Sequence, residues 1–149
     1  MAKLFISFAL SVLLTYTLAS LAHTQQVLSG LLQLGVLIPM ADRIAMSAGD
    51  WVGLYLYLAV IAIGLLIAFC VMALLGRVLP VPEMPLYAVG GALAMFVILF
   101  SMRELGSLTP IAGARGALGM SLQCLAGAVG GALFGLRLPV KVASHSGSK

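Results

Sequence analysis

The sequence predicts an all-α membrane protein: a bundle of four transmembrane helices, with a short extracytoplasmic or re-entrant helical hairpin between the first and second. Three observations predict it. Of 149 residues, 62% are hydrophobic and only 8% are charged, whereas an ordinary soluble domain carries about 25% charged residues. Long apolar stretches at 4–22, 51–76, 86–102 and 109–136 match the roughly 17–25 residues that cross a hydrocarbon core. Within the last stretch, Gly127, Gly131 and Gly135 recur every four residues, a spacing that lets two helix backbones approach closely in lipid. Residues 1–138 therefore read as a single transmembrane domain in the lipid bilayer, and 139–149 as a disordered, polar cytoplasmic tail.

The first stretch follows a single cation, Lys3. Two readings compete for it. Ser20, Leu21 and Ala22 before His23 place small residues where a signal peptidase cuts, yet the apolar run exceeds the roughly 7–15 residues of a signal core. The length favours a retained helix, in which Thr15, Tyr16 and Thr17 hydrogen-bond to neighbours. Residues 25–48 form the expected hairpin. Val27 to Ile38 is too short for a span, is interrupted by Ser29, Gly30, Gln33 and Gly35, and stops at Pro39. A second short helix then carries Asp42 and Arg43 outward, and Gly49 and Asp50 close the turn.

The stretch 51–76 is uncharged, with Trp51, Tyr55 and Tyr57 near its start, as an interfacial aromatic belt requires. Arg77 ends it, and Pro80, Pro82 and Pro85 stiffen a short connection that returns the chain antiparallel. Gly90 and Gly91 are the small-residue contact point of the next span, which Arg103 and Glu104 close. Thr109 suits the N-cap of the last helix and Pro110 its first turn. Gly119 and Gln123 extend the ladder of Gly127, Gly131 and Gly135 upward as a glycine zipper. Gln123 lies near mid-membrane, where an amide hydrogen-bonds across to another helix.

Lys3, Arg77, Arg137, Lys141 and Lys149 fall on one side of this topology, and Arg43, Arg103 and Arg115 on the other. The basic excess places both termini in the cytoplasm, in a bacterial inner membrane. The net charge of +4 has no basic run behind it, which excludes nucleic acid as a partner.

The four acids, Asp42, Asp50, Glu83 and Glu104, all lie at loops or membrane edges, which argues against a proton-coupled pump. His23 and His145 fall on opposite sides, and Cys70 and Cys124 are isolated, so no metal, haem or other cofactor is expected. No nucleophile elbow, zinc motif or phosphate loop occurs, and no catalytic residue is assigned. An outer polar pocket is the one candidate site: His23, Gln25, Asp42, Arg43, Asp50, Glu104 and Arg115. Arg115 sits near a helix N-terminus, whose dipole disfavours a cation, so it needs a carboxylate such as Glu104.

The expected function is non-catalytic: a structural or interaction subunit, or a protein self-associating through its glycine-rich last helix as a homo-oligomer or within a larger complex. An oligomeric transporter of a small solute, ion or lipid is the alternative. A membrane enzyme modifying lipid headgroups comes third.

Overall fold

The computed structural model describes residues 2–35, 37–105 and 117–138. These form α1 (Ala2–Gln33), α2 (Met40–Gly53), α3 (Tyr55–Val78), α4 (Glu83–Leu105) and α5 (Ala117–Arg137). α1, α3, α4 and α5 are long and apolar enough to cross a membrane. The chain is an all-α integral membrane protein built as a four-helix bundle. The start expected for the last span, with Thr109, Pro110 and Arg115, lies outside the described residues, as does the tail 139–149.

α5 is the centre of the architecture, with α4 against one of its faces and α1 against another; α3 packs on α4 and α1, and α2 rests on α1. The α4–α5 contact is backbone on backbone. A Cβ added to Gly91 would lie 2.8 Å from the Gly127 carbonyl carbon, and one on Gly127 would lie 2.9 Å from that of Gly91. One on Gly131 would meet the Tyr87 carbonyl carbon at 2.7 Å, and one on Gly135 the Met84 Cα at 2.7 Å. The antiparallel helices thus mesh at four-residue intervals on both sides. Gly119, Gln123, Gly127, Gly131 and Gly135 are all buried, as the ladder requires. Gly127, Gly131 and Gly135 find their partner in the chain's own α4, so these three glycines are covered within one copy of the chain.

Gly130 serves the other face. A Cβ there would lie 3.0 Å from the Ser11 carbonyl oxygen and would occupy the position of the Thr15 hydroxyl. α1 is correspondingly inside-out for a soluble helix. Its buried stripe contains Ser7, Ser11, Thr15, Ser20 and Thr24, while Leu4, Phe5, Ile6 and Leu13 are exposed, because lipid rather than water receives the apolar face.

An aromatic tier closes the bundle near the N-terminus of α1. Each spanning helix supplies one ring: Phe69 stacks on Phe134 with centroids 4.5 Å apart, Tyr87 meets both edge-on, and Phe8 meets Phe69 edge-on at 6.2 Å. Such pairs add roughly 0.5–1.5 kcal/mol beyond area burial.

Several boundaries differ from those expected, among them the second span, which runs from Tyr55 to Val78 rather than 51–76 because Trp51 belongs to α2, and the third, which runs on to Leu105 rather than 102. α1 does not stop near residue 22 but continues to Gln33, about 48 Å at 1.5 Å per residue. No proline interrupts 23–33; the helix ends only at Gly35, whose φ of +79° suits glycine. The hairpin between spans is therefore the overhang of α1 followed by α2, not two free-standing short helices. Gly49 and Asp50 do not close a turn; they are helical, and α2 runs on to Gly53. Leu54 alone separates α2 from α3, with Leu54 N–H donating to the Asp50 carbonyl at 2.9 Å and Leu58 N–H to the Leu54 carbonyl at 3.1 Å. α4 begins at Glu83 rather than 86, since Pro85 falls in the first turn, where no intrahelical N–H is needed.

The meshing predicts opposite outcomes for two glycine substitutions. Gly131→Leu should lower stability in detergent by about 3 kcal/mol or prevent folding, because backbone cannot yield as a side chain can. Nothing lies within 4 Å of a Cβ at Gly49, so Gly49→Ala should be neutral or stabilise α2 by up to about 1 kcal/mol. Thermal unfolding of both variants measures the contrast.

Candidate functional site

A polar seam runs along α1 on the side of the bundle away from the aromatic tier, and it is the most elaborate constellation in the structure. Gln123 is its centre. It is 1% exposed, which in an apolar interior demands that its amide be bonded. The amide Nε2 donates to the Ala19 carbonyl at 3.0 Å, and Oε1 accepts from the Tyr57 hydroxyl at 3.1 Å. One side chain thus ties α5 to α1 and α3. About two turns back along α1, Ser11 Oγ donates to the Gly130 carbonyl at 2.6 Å. Among the described residues, Thr15 Oγ1 is buried without a hydrogen-bond partner; it rests on Gly130, a weak Cα–H contact of the sort helix interfaces use.

The seam continues to α2. Thr24 Oγ1 donates to Asp50 Oδ2 at 2.8 Å, the Tyr16 hydroxyl donates to the Trp51 carbonyl, and Trp51 Nε1 donates to Thr17 Oγ1 at 3.3 Å. The rings of Tyr16 and Trp51 also pack, with centroids 5.8 Å apart. α2 has no buried residue, so these polar contacts, rather than an apolar core, hold it to α1.

Of the residues expected to share an outer pocket, the structure brings together two. His23 is buried and within electrostatic range of Asp50. Gln25, Asp42 and Glu104 are exposed, and Arg43 is half-buried with its Nε donating to the Ile38 carbonyl at 3.4 Å. Arg115 lies outside the described residues. The physical reason is angular: Gln25 follows Thr24 by about 100° around α1, which turns it off the buried face. Tyr16, Thr24, Trp51 and Tyr57 take their places. Ser7, Ser11 and Thr15 carry a readable signal, hydroxyls at four-residue spacing along one face of α1, where Ser11 and Thr15 meet Gly130.

The cavities have a different chemistry. A groove of about 540 Å³ beside the aromatic tier is lined by Leu4, Phe8, Leu66, Phe69 and Phe134 among others. A second of about 310 Å³ runs between α3 and α4, over Gly64 and Gly90. Both are apolar and open sideways, between helices, where the bilayer lies. Among the described residues no group of His, Cys, Asp and Glu is placed to hold a metal ion. Comparison with protein-family models, curated proteins and solved structures gives no match.

The seam predicts two separable losses. Gln123→Leu should cost about 1 kcal/mol, and a double-mutant cycle with Tyr57→Phe should return a coupling of about 0.6 kcal/mol. Asp50→Ala should leave the bundle folded but raise amide hydrogen exchange across 40–53 selectively; unchanged exchange there would show that α2 is held by something else.

Proposed function

We propose that the chain is a non-catalytic structural or interaction subunit, working by packing with a second copy or within a larger membrane complex. The observation that carries this reading is where its polar groups point. Ser11, Tyr57 and Gln123 spend their hydrogen bonds on the chain's own carbonyls and amide, and the grooves are apolar and open sideways. An interior bonded in this way supports a packing unit more than a solute path. The glycines are occupied within the bundle, so the association surface belongs to the lipid-facing sides. On α5 this side carries Leu118, Leu125 and Val129, and on α4 Leu93, Phe96 and Phe100.

The orientation proposed is an inner-membrane protein with cytoplasmic termini. Among the described residues Lys3, Arg77 and Arg137 lie at one end of the bundle and Arg43 and Arg103 at the other, a small basic excess on the side proposed as cytoplasmic.

Cysteine cross-linking in membranes tests the role. With Cys70 and Cys124 replaced, a cysteine at Val129 or Val97 should cross-link to a second copy or to a protein that co-purifies in mild detergent. If both variants stay monomeric and the purified protein instead conducts ions or solutes in proteoliposomes, the packing role is wrong. For the orientation, a cysteine at exposed Ala48 should react with an impermeant reagent from outside, and one at Lys3 should not.

A further inference from the structure

We propose that the groove beside the aromatic tier is a binding site for an anionic phospholipid, with one acyl chain in the groove and the phosphate against Lys3, Arg77 and Arg137. This rests on the groove and its charges alone and is independent of the packing role. α1 supplies one wall through Leu4 and Phe8, α3 the other through Leu66, Cys70 and Ala73, and the rings of Phe69, Tyr87 and Phe134 form the floor. Its volume of about 540 Å³ falls within the roughly 300–1,000 Å³ of sites that hold small ligands. The opening is sideways, so a lipid chain enters without leaving the bilayer.

The charge at the mouth selects the headgroup. Lys3 immediately precedes Leu4, Arg77 follows Ala73 by one helical turn, and Arg137 immediately precedes Leu138, which also lines the groove. Residues one turn apart share a helix face, so Arg77 stands directly beyond the α3 wall. All three cations are exposed, free to meet a headgroup at the interface. The acid at this end, Glu83, lines an adjoining recess of about 300 Å³ that shares Leu138 with the groove, and Lys3, Arg77 and Arg137 outnumber it among the described residues. At the opposite end acids predominate among the described residues, so the pairing of an apolar groove with a cationic rim occurs at one end of the bundle. A neutral hydrocarbon would fill the groove but make no use of that rim.

Fluorescence quenching by tail-brominated lipids tests the site. Trp51→Phe removes the single tryptophan, and Leu66→Trp places a reporter in the groove wall. The protein is reconstituted in phosphatidylcholine vesicles containing phosphatidylglycerol, with bromine on one lipid or the other. Brominated phosphatidylglycerol should quench beyond its mole fraction, and brominated phosphatidylcholine should not. Arg77→Gln should reduce that preference about fivefold, the equivalent of ~1 kcal/mol for one basic residue at an anionic surface, and Lys3→Gln gives an independent reading at an exposed helix start. Ala73→Phe, which fills the groove from an exposed position, should abolish the excess quenching. Quenching that follows bulk composition for both lipids, or a preference that survives both charge substitutions, overturns the proposal.

Discussion

Close contact between the backbones of α4 and α5 is the constraint on which the rest of the bundle depends. In lipid, helices gain nothing from hiding apolar side chains from water, so association rests on van der Waals contact and hydrogen bonds between helices. Gly127, Gly131 and Gly135 meet this requirement by removing every Cβ along the seam, and Gly91 does so from the α4 side. The spacing is unforgiving because the obstacle at each rung is main chain. At Gly64 and Gly90 an added Cβ would meet only the side chains of Ile98 and Met72, which can turn aside. The two kinds of glycine contact therefore differ in consequence, and those of α5 set the register of the fold.

With α5 pressed against α4, its remaining inner face must be met by another helix whose surface is equally small. α1 provides this with hydroxyls rather than glycines. Ser11 reaches the Gly130 carbonyl, and Gln123 reaches back to the Ala19 carbonyl, so the approach that the glycines allow is fixed by bonds between side chain and main chain. Small polar residues inside and leucines outside follow directly from replacing water with lipid as the solvent. The same logic extends past the membrane edge, where Thr24 and Tyr16 hold α2 through Asp50 and the Trp51 carbonyl. Apolar surface on α2, including Met40, Ile44 and Val52, is left facing outward, as suits a helix lying at an interface.

The glycine ladder and Gln123 were legible in the sequence because periodicity carries them: one residue type at a fixed interval maps onto one helix face without knowledge of any neighbour. What the ladder packs against was not legible. An intrachain partner and a second copy demand the same spacing, and only the meshing of Gly91 and Tyr87 with α5 decides between them. The length of α1 is hidden in the sequence because its polar overhang, His23, Thr24, Gln25 and Gln26, resembles the end of a span in hydropathy, whereas helices end at breakers such as Gly35 and Pro39. The described members of the outer pocket do not all converge, for a related reason. Grouping by side of the membrane places residues within a layer but not around a helix, so His23 and Asp50 converge while Gln25 and Asp42 point away. Tyr57 reads in sequence as part of an interfacial belt, yet it is 4% exposed and bonded to Gln123; an aromatic belt and a buried hydroxyl donor look the same in sequence.

The bundle is asymmetric along its axis, and the asymmetry has a physical origin. Toward α2 the helices are tied by directional bonds, each satisfying a polar group that lipid could not. Toward the helix ends that carry Lys3, Arg77 and Arg137, α4 and α5 still mesh at Gly131 and Gly135 but α1 meets α3 through rings, and rings set edge-on occupy the centre without filling the rim. The groove is what remains between α1 and α3 when Phe8, Phe69, Tyr87 and Phe134 have found their mutual geometry. A well-bonded end and a laterally open one are thus two results of the same placement of residues. Polar groups near α2 draw α1, α3 and α5 together, and bulky aromatic rings at the other end leave a gap for the bilayer to fill.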